Sequence, residues 1–409
     1  MKALVKFLTI VFLSSFVFVA CDKDDDDDVT PVLLEAAEEY TAAGTLDAKS
    51  IKAFFVEQGQ LELAEKVKYG VKIFKVKYKT AYKSDSISAS GIIALPANPG
   101  KDDAFPVLGF QHGVIFSNSQ APSVNPLGDA SRMAVYAASA GFVVGIPDYI
   151  GYGASQIYDH PFMIKKYMAD VVIDFLRTTK EFIYTKKPCK INKRIFLYGY
   201  GEGATASLAA LSRIEDKKLE INDLPVIATV CGSGVYNYLG FREWMVSQLK
   251  YDQPWYLGYM LDTYLKFGLV DLAYDDVFVS PYSSVVSGIV NGERTVDQMN
   301  SLFGTKSVSE ILNDDFEDTN IFTTEEQYAP LRKALDENSV PAWPLKSEVT
   351  FYYGKADLWV PAQQTLVLYN QFTDLGVKSN LKISALESLD HETAVLPSFA
   401  KAVVSFKSY

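Results

Sequence analysis

The sequence has few histidines, few cysteines and a shortage of basic residues. Among 409 residues there are three His and three Cys, and 39 Lys and Arg stand against 50 Asp and Glu, which gives a formal net charge of −11. A protein this acidic has no electrostatic attraction for a phosphate backbone, so we exclude nucleic acid as a partner. Cys189 and Cys231 are compatible with a disulfide or with free thiols. Cys231 ends an apolar run and is expected to be a small buried thiol.

Residues 1–20 have the features of a secretory signal peptide. Lys2 and Lys6 supply positive charge, and the apolar run that follows is too short for a membrane-spanning helix. The run ends in Phe18-Val19-Ala20-Cys21, which resembles a bacterial lipobox and implies that Cys21 is lipidated. The alternative is an ordinary cleaved signal followed by an incidental cysteine. No later stretch is apolar for long enough to cross a bilayer, so any membrane attachment is expected at the N-terminus.

Residues 21–30 are predicted to be an acidic tether. Six Asp and one Lys occupy positions 22–28, a composition that cannot form a packed core. The run also resembles the acidic export tag of surface lipoproteins in some Gram-negative bacteria. That resemblance implies an exported protein, lipid-anchored at the outer membrane, with its body at the cell surface.

The apolar runs predict a doubly wound, mostly parallel α/β sheet. Two alternating runs at 71–82 and 86–95 suit an antiparallel hairpin at the sheet edge, and the Ala- and Glu-rich stretch 33–63 is predicted to be helical. Six short apolar runs then alternate with helical stretches, as buried parallel strands do. The strands are predicted at 106–110, 141–146, 194–197, 226–230, 348–352 and 381–385, and the helices at 130–140, 162–182, 204–214, 363–372 and 392–406.

Residues 237–342 interrupt this alternation. The segment is rich in aromatic residues and looks helical, and a loop of that length inside a compact domain is implausible. We therefore predict an inserted helical cap at 237–342, with the core formed by residues 31–236 and 343–409.

A glycine-rich segment, Gly199-Tyr200-Gly201-Glu202-Gly203, links a predicted strand to a predicted helix. Small residues two before and two after the centre are what a nucleophile elbow requires, because Cβ atoms there would collide with neighbouring backbone. The alternative, a dinucleotide-binding fingerprint, lacks its third glycine, and no acidic residue is placed for a ribose. The segment is therefore interpreted as an elbow.

An acid and a histidine follow later in the chain, each after a predicted strand. Asp357 lies in a turn, and His391 comes 34 residues later. A carboxylate on Nδ1 of an imidazole fixes its tautomer and leaves Nε2 free to accept a proton. Taken singly, Asp357 could be a turn residue and His391 a helix-start residue. Together they predict a retained acid–base pair.

The segment His112-Gly113-Val114 follows the first central strand. It resembles the oxyanion loop of lipases and esterases, which implies that the backbone N–H groups of Val114 and Glu202 are the oxyanion donors. We expect a structural role for the His112 side chain, and we interpret His160-Pro161 only as a helix start.

Together these motifs resemble the secretory-lipase and esterase branch of the α/β-hydrolases over residues 69–406. The elbow, the acid and the histidine come in the chain order of that superfamily. The resemblance implies an α/β-hydrolase fold, ester hydrolysis through an acyl-serine, a small-molecule ester or an acyl or aromatic ligand, and no need for a cofactor or a metal.

The chain departs from this family at Gly201, where the nucleophilic serine is expected. Other serines lie in predicted loops or helices, where an elbow does not present them: Ser117, Ser155, Ser207 and Ser388. Losing the nucleophile of a triad costs about six orders of magnitude in turnover. We therefore expect a catalytically impaired hydrolase that keeps Asp357 and His391. The alternatives are a weak or serine-independent esterase, and a non-catalytic surface protein that binds a ligand.

Overall fold

The computed structural model of the protein describes residues 33–41, 46–219, 223–289 and 291–409. The predicted signal peptide, the lipidation site at Cys21 and the acidic tether lie outside these residues. The described chain contains a nine-stranded sheet. Its strands are β1 (Leu34–Glu39), β2 (Val71–Tyr82), β3 (Asp85–Pro96), β4 (Ala104–Gln111), β5 (Val143–Pro147), β6 (Lys190–Tyr200), β7 (Val226–Gly232), β8 (Glu348–Gly354) and β9 (Leu381–Leu386).

The strand order is β1-β2-β3-β5-β4-β6-β7-β8-β9. The pairs from β1 to β5 along this order are antiparallel, and the pairs from β5 to β9 are parallel. The doubly wound, mostly parallel fold class is thus confirmed. The chain passes from β4 to β5 on one side and then returns to place β6 on the other side of β4. Open α/β sheets bind ligands outside the carboxyl ends of the strands at such a switch point.

Helices cover both faces of the sheet, and further helices lie between β7 and β8. In chain order they are α1 (Ala48–Glu57), α2 (Leu61–Lys66), α3 (Arg132–Ala137), α4 (Lys165–Lys186), α5 (Glu202–Glu215), α6 (Tyr238–Val246), α7 (Trp255–Lys266), α8 (Tyr282–Val286), α9 (Val296–Phe303), α10 (Val308–Ile311), α11 (Asp314–Glu317), α12 (Thr319–Thr324), α13 (Ala329–Asn338), α14 (Ala362–Asp374) and α15 (Val395–Phe406). None of the described helices combines the length and the apolar character needed to cross a bilayer.

The sheet is buried on both faces, as its continuous apolar strands require. On one face, α4, α5 and α14 pack against the sheet, with Leu197 of β6 at the centre of that cluster. On the other face, α1, α3 and α15 pack around Tyr198. Cys231 is fully buried and forms no disulfide with Cys189.

The predicted helix at 33–63 is wrong in its first part. Residues Leu34–Glu39 form β1, which pairs antiparallel with β2, and helix begins only at Ala48. The backbone N–H groups of Leu33 and Leu34 donate to the Glu181 carboxylate of α4 at 3.0 and 2.9 Å. Alanine and glutamate favour a helix, but the open edge of β2 and this buried acceptor offer the backbone a better set of partners.

Residues 237–342, which we call the cap, are mostly helical in their described part and contain α6 to α13. The two ends of the cap meet, because the Val340 N–H donates to the Tyr236 carbonyl oxygen at 2.8 Å. The Gln364 side chain of α14 accepts from the N–H groups of Tyr236 and Asn237 at 3.0 and 2.9 Å. These contacts fix the base of the cap to the helix that follows Asp357.

Candidate active site

The chain turns sharply at Gly201, between β6 and α5. Gly201 has φ +56° and ψ −120°, a backbone conformation that costs a residue with a Cβ of order 1–3 kcal/mol. A Cβ at Gly199 would overlap the carbonyl group of Gly203, and a Cβ at Gly203 would lie 2.6 Å from the His112 carbonyl oxygen. The close approach of backbone atoms therefore requires both flanking glycines, as in a nucleophile elbow.

The position of a side chain at Gly201 faces His391 and is otherwise open. Apart from its neighbours in the chain, an ideal Cβ built there would have two heavy atoms within 4 Å, namely Nε2 of His391 at 3.5 Å and Cε1 of His391 at 3.8 Å. A hydroxyl on that Cβ would come within hydrogen-bond reach of Nε2, at about 3 Å. We call this space the Gly201 vacancy.

The structure brings Asp357 and His391 together at the vacancy. His391 Nδ1–H donates to Asp357 Oδ2 at 2.7 Å, and the other carboxylate oxygen accepts from the N–H groups of Trp359 and Val360 at 2.9 and 2.8 Å. Asp357 follows β8 and His391 follows β9, so parallel neighbouring strands deliver both side chains to the same edge of the sheet. With the proton on Nδ1, the Nε2 atom faces Gly201 and is free to act as a base.

Two aromatic residues hold the His391 ring in place. The Trp359 ring stacks on it with centroids 5.2 Å apart, and Tyr200 contacts it edge-on at 5.1 Å. The Tyr200 hydroxyl also donates to the His391 carbonyl oxygen at 2.8 Å. Sequence reasoning missed both residues, although Tyr200 directly precedes Gly201 and Trp359 comes two residues after Asp357.

The loop after β4 lies against the elbow. Gln111 pairs with Gly199 across β4 and β6, and a Cβ at Gly113 would lie 3.5 Å from the Tyr200 carbonyl oxygen. Glu202 is the first residue of α5, so its N–H has no acceptor within the helix. Val114 follows Gly113 in the adjacent loop. The assignment of the Val114 and Glu202 N–H groups as oxyanion donors stays a prediction.

A second histidine–carboxylate pair lies beside the elbow, and the sequence reading missed it. His160 Nε2 lies 2.9 Å from Glu202 Oε1, and both side chains are buried. His160 Nδ1–H donates to the Ile150 carbonyl oxygen at 2.7 Å. His160 is therefore more than a helix-start residue. The signals in the sequence were the scarcity of histidine and an acidic residue directly after Gly201 in a buried helix start.

His112 has the structural contacts that the sequence suggested. Its Nδ1–H donates to the Gly113 carbonyl oxygen at 2.7 Å, and its ring lies against Tyr149 with centroids 4.2 Å apart. Complete burial lowers the pKa of His112, which favours the neutral ring. All three histidines of the chain thus surround the elbow.

Aromatic side chains of α7 in the cap pack against the loops that follow β4 and β5. Tyr259 stacks on Phe162 with ring centroids 4.2 Å apart, and its hydroxyl lies 3.1 Å from that of Tyr152. Trp255 contacts Phe116 edge-on at 4.5 Å.

Among the residues that the structure describes, no serine hydroxyl hydrogen bonds with His391 Nε2, and the ring's hydrogen bond is the one to Asp357. Ser207 is buried and hydrogen bonds with the Gln111 side-chain amide at 2.7 Å, while the Ser155 hydroxyl donates to the Tyr152 carbonyl oxygen at 2.9 Å. The Ser117 hydroxyl hydrogen bonds with that of Ser119 at 2.8 Å, and Ser388 lies in the loop after β9.

Two cavities lie away from the elbow. One, of about 200 Å³, is at the amino ends of β4 and β6 and is lined in part by Arg194 and Lys407. The other, of about 520 Å³, is on the cap beside Glu243 and Asp318. Within the described ranges, no group of three or more His, Cys, Asp or Glu side chains is placed to hold a metal ion.

Comparison with known proteins agrees with this architecture. The secretory lipase family model matches residues 129–405. A candidate hydrolase from Legionella pneumophila has a similar structure, with a TM-score of 0.79 and 22% identity over 92% of this chain and 98% of that one. The rice cell wall degrading esterase LipA from Xanthomonas oryzae has a TM-score of 0.76 and 19% identity, over 92% of this chain and 97% of that one.

One further solved structure is more distantly similar. Candida antarctica lipase A in its closed state has a TM-score of 0.59 and 14% identity, over 91% of this chain and 82% of that one. At these identities the structural matches show the fold. No match was found among curated protein sequences.

Proposed function

The chain belongs to the secretory lipase family and is a lipase- and esterase-like α/β-hydrolase, and we propose that Gly201 has removed the covalent step from its ester hydrolysis. The supporting observation is the geometry at the vacancy, where His391 and Asp357 are in place to activate a hydroxyl that glycine does not supply. Without a nucleophile no acyl-enzyme can form. The protein is therefore catalytically impaired as an esterase.

A slower hydrolytic route is the second candidate, and the retained acid–base pair favours it. A water molecule in the vacancy would attack the ester carbonyl carbon while His391 Nε2 takes its proton. The same proton would then pass to the departing alkoxide as the ester C–O bond breaks, giving an acid and an alcohol. Removal of the catalytic residues of a serine hydrolase leaves roughly 10³ to 10⁴ over the reaction in water, which bounds the rate of this route.

The experiment compares the unmodified protein with Gly201→Ser on p-nitrophenyl butyrate, with Gly201→Ala as the matched control. The alanine variant has the same backbone strain as the serine variant but no hydroxyl. We expect the serine variant to gain at least 10³-fold in kcat, and the alanine variant to gain nothing. Ordinary enzyme rates from the unmodified protein would contradict the proposal. If the folded serine variant gained no activity, a binding role without catalysis would replace it.

The family assignment also bears on location and partners. Membership of a secretory family supports export of the chain. We further propose that Cys21 is lipidated and anchors the protein at the outer membrane, with the body at the cell surface and a small-molecule ester or an acyl or aromatic compound as ligand. The support is the lipobox-like end of the apolar run and the acidic residues that follow it.

A further inference from the structure

The Gly201 vacancy lies between His391 Nε2 and the first residue of α5. We propose that it binds the carboxylate group of a free acyl or aromatic acid. This inference rests on the proposed function, since it assumes that no serine or acyl group occupies the space. It names a ligand class for the unmodified protein, namely carboxylic acids in preference to their esters and amides.

The first carboxylate oxygen would lie where a serine hydroxyl would otherwise be. Apart from the two residues next to Gly201 in the chain, only His391 comes within 4 Å of the Cβ position, so glycine leaves room for an oxygen atom that a Cβ would exclude. When His391 is protonated, its Nε2–H donates to that oxygen, and Asp357 behind the ring stabilises the imidazolium. An ester has no anionic oxygen and therefore accepts only a weaker hydrogen bond at this position.

The second carboxylate oxygen would face the start of α5. The N–H of Glu202 lies at the first position of this 14-residue helix, where the helix dipole and the unpaired N–H groups favour an anion. The loop that carries Val114 lies beside it, since the neighbouring Gly113 packs against the Tyr200 carbonyl oxygen. The two oxygens of one carboxylate would thus be bound by His391 on one side and by backbone N–H groups on the other.

An anion also requires that the two buried acidic side chains of the site are neutralised, and each has a histidine partner that neutralises it when the pair holds an additional proton. Asp357 is paired with His391 at 2.7 Å, and Glu202 is paired with His160 at 2.9 Å. Because His160 Nδ1–H is committed to the Ile150 carbonyl oxygen, a proton must lie between Nε2 and the Glu202 carboxylate. The pair therefore holds one proton and has no net charge. Without His160, a buried carboxylate would stand beside the ligand's negative charge.

Binding of butyrate to the purified full chain tests the proposal, with butyramide as the neutral ligand of the same shape. Ligand-observed NMR and calorimetry give the two dissociation constants. We expect butyrate to bind at least tenfold more tightly than butyramide. Gly201→Ala should weaken butyrate binding at least tenfold, because its methyl group lies 3.5 Å from His391 Nε2 and fills the space.

Charge variants separate an electrostatic role of His160 from a structural one. His160→Gln leaves the Glu202 carboxylate unpaired, so it should weaken butyrate at least tenfold and leave butyramide within twofold. The double variant His160→Gln/Glu202→Gln removes the uncompensated charge and should restore butyrate binding to within threefold of the unmodified protein. A merely structural role of His160 would weaken both ligands and would not be rescued.

The proposal is overturned if butyrate and butyramide bind equally, if neither binds, or if Gly201→Ala binds butyrate as tightly as the unmodified protein. It is also overturned if His160→Gln weakens both ligands alike. These outcomes differ from failure of the proposed function. Restored ester hydrolysis in Gly201→Ser without butyrate binding to the unmodified protein would remove this inference alone. Ordinary ester turnover by the unmodified protein would remove the proposed function.

Discussion

Replacing Gly203 by alanine should destabilise the protein far more than replacing Gly113, although both glycines belong to the elbow region. A Cβ at Gly203 would lie 2.5 Å from the Gln111 carbonyl carbon and 2.6 Å from the His112 carbonyl oxygen, and it would overlap the Gln111 oxygen. Real Cβ contacts essentially never fall below 3.0 Å. The atoms in the way are backbone at the end of β4, which is paired with β6, so they cannot yield without disturbing the sheet.

Overpacking in a core costs about 1–3 kcal/mol, and each strained sheet hydrogen bond adds about 1 kcal/mol. We therefore expect Gly203→Ala to lose about 3–4 kcal/mol of unfolding free energy. The sign of this change in unfolding free energy separates the steric effect from helix propensity, because helix propensity alone would favour alanine in α5 by about 1 kcal/mol. At Gly113 the nearest heavy atom would be 3.5 Å away, an ordinary contact, and the expected loss is below about 1 kcal/mol.

Urea unfolding followed by circular dichroism and tryptophan fluorescence measures both variants against the unmodified protein. Equal stability of Gly203→Ala and Gly113→Ala would refute the steric account of the elbow. Should Gly203→Ala fail to accumulate as folded protein while Gly113→Ala does, the account also holds. A loss of 3 kcal/mol or more of unfolding free energy in Gly113→Ala would also contradict the account, because no close contact is expected at that position.

Three further predictions concern other parts of the chain. Glu215→Gln should lower the unfolding free energy measured with urea by about 2–4 kcal/mol. Each carboxylate oxygen of Glu215 accepts two hydrogen bonds, among them those from the Trp343 indole and the Ser347 N–H at 2.8 Å, and a glutamine NH2 group would turn its own donors towards two of these donor groups. Arg242→Lys should lower the thermal midpoint by the equivalent of about 1–2 kcal/mol. The buried, planar guanidinium lies over the Phe322 ring at 3.9 Å, and a lysine ammonium cannot stack there in the same way. An unchanged midpoint would contradict this prediction. Cys21→Ala should move the protein from the membrane fraction to the soluble fraction after a salt wash, and continued pelleting would show that the anchor is elsewhere.

The central and C-terminal strands could be predicted because they are short apolar runs separated by helical stretches. Their arrangement in one parallel sheet followed from that alternation and is confirmed. The edge strand β1 was harder to predict from the sequence. Leu34–Glu39 has the composition of a helix, and it becomes β1 only because β2 and Glu181 offer partners that are distant in the sequence.

The candidate site, too, could be predicted only where its residues have a local sequence pattern. The positions of Gly201, Asp357 and His391 carry local signals, such as glycine spacing and a polar residue at a strand end, and the structure places all three together. The His160–Glu202 contact joins residues 42 positions apart and has no local pattern. Such a pair becomes visible only when the turn after β5 packs against the start of α5.

The central claim is that the site lacks only the serine side chain at position 201, and covalent labelling of Gly201→Ser tests it most directly. An alkyl fluorophosphonate is incubated with the unmodified protein, Gly201→Ser, Gly201→Ala and Gly201→Ser/His391→Ala, and intact mass is measured. The geometry predicts one phosphonyl adduct on Gly201→Ser, mapped to position 201, and none on the other three proteins, because only that variant combines a hydroxyl with the base 3.5 Å from its Cβ. A folded Gly201→Ser protein that stays unlabelled, or an adduct on the unmodified protein, would contradict the account.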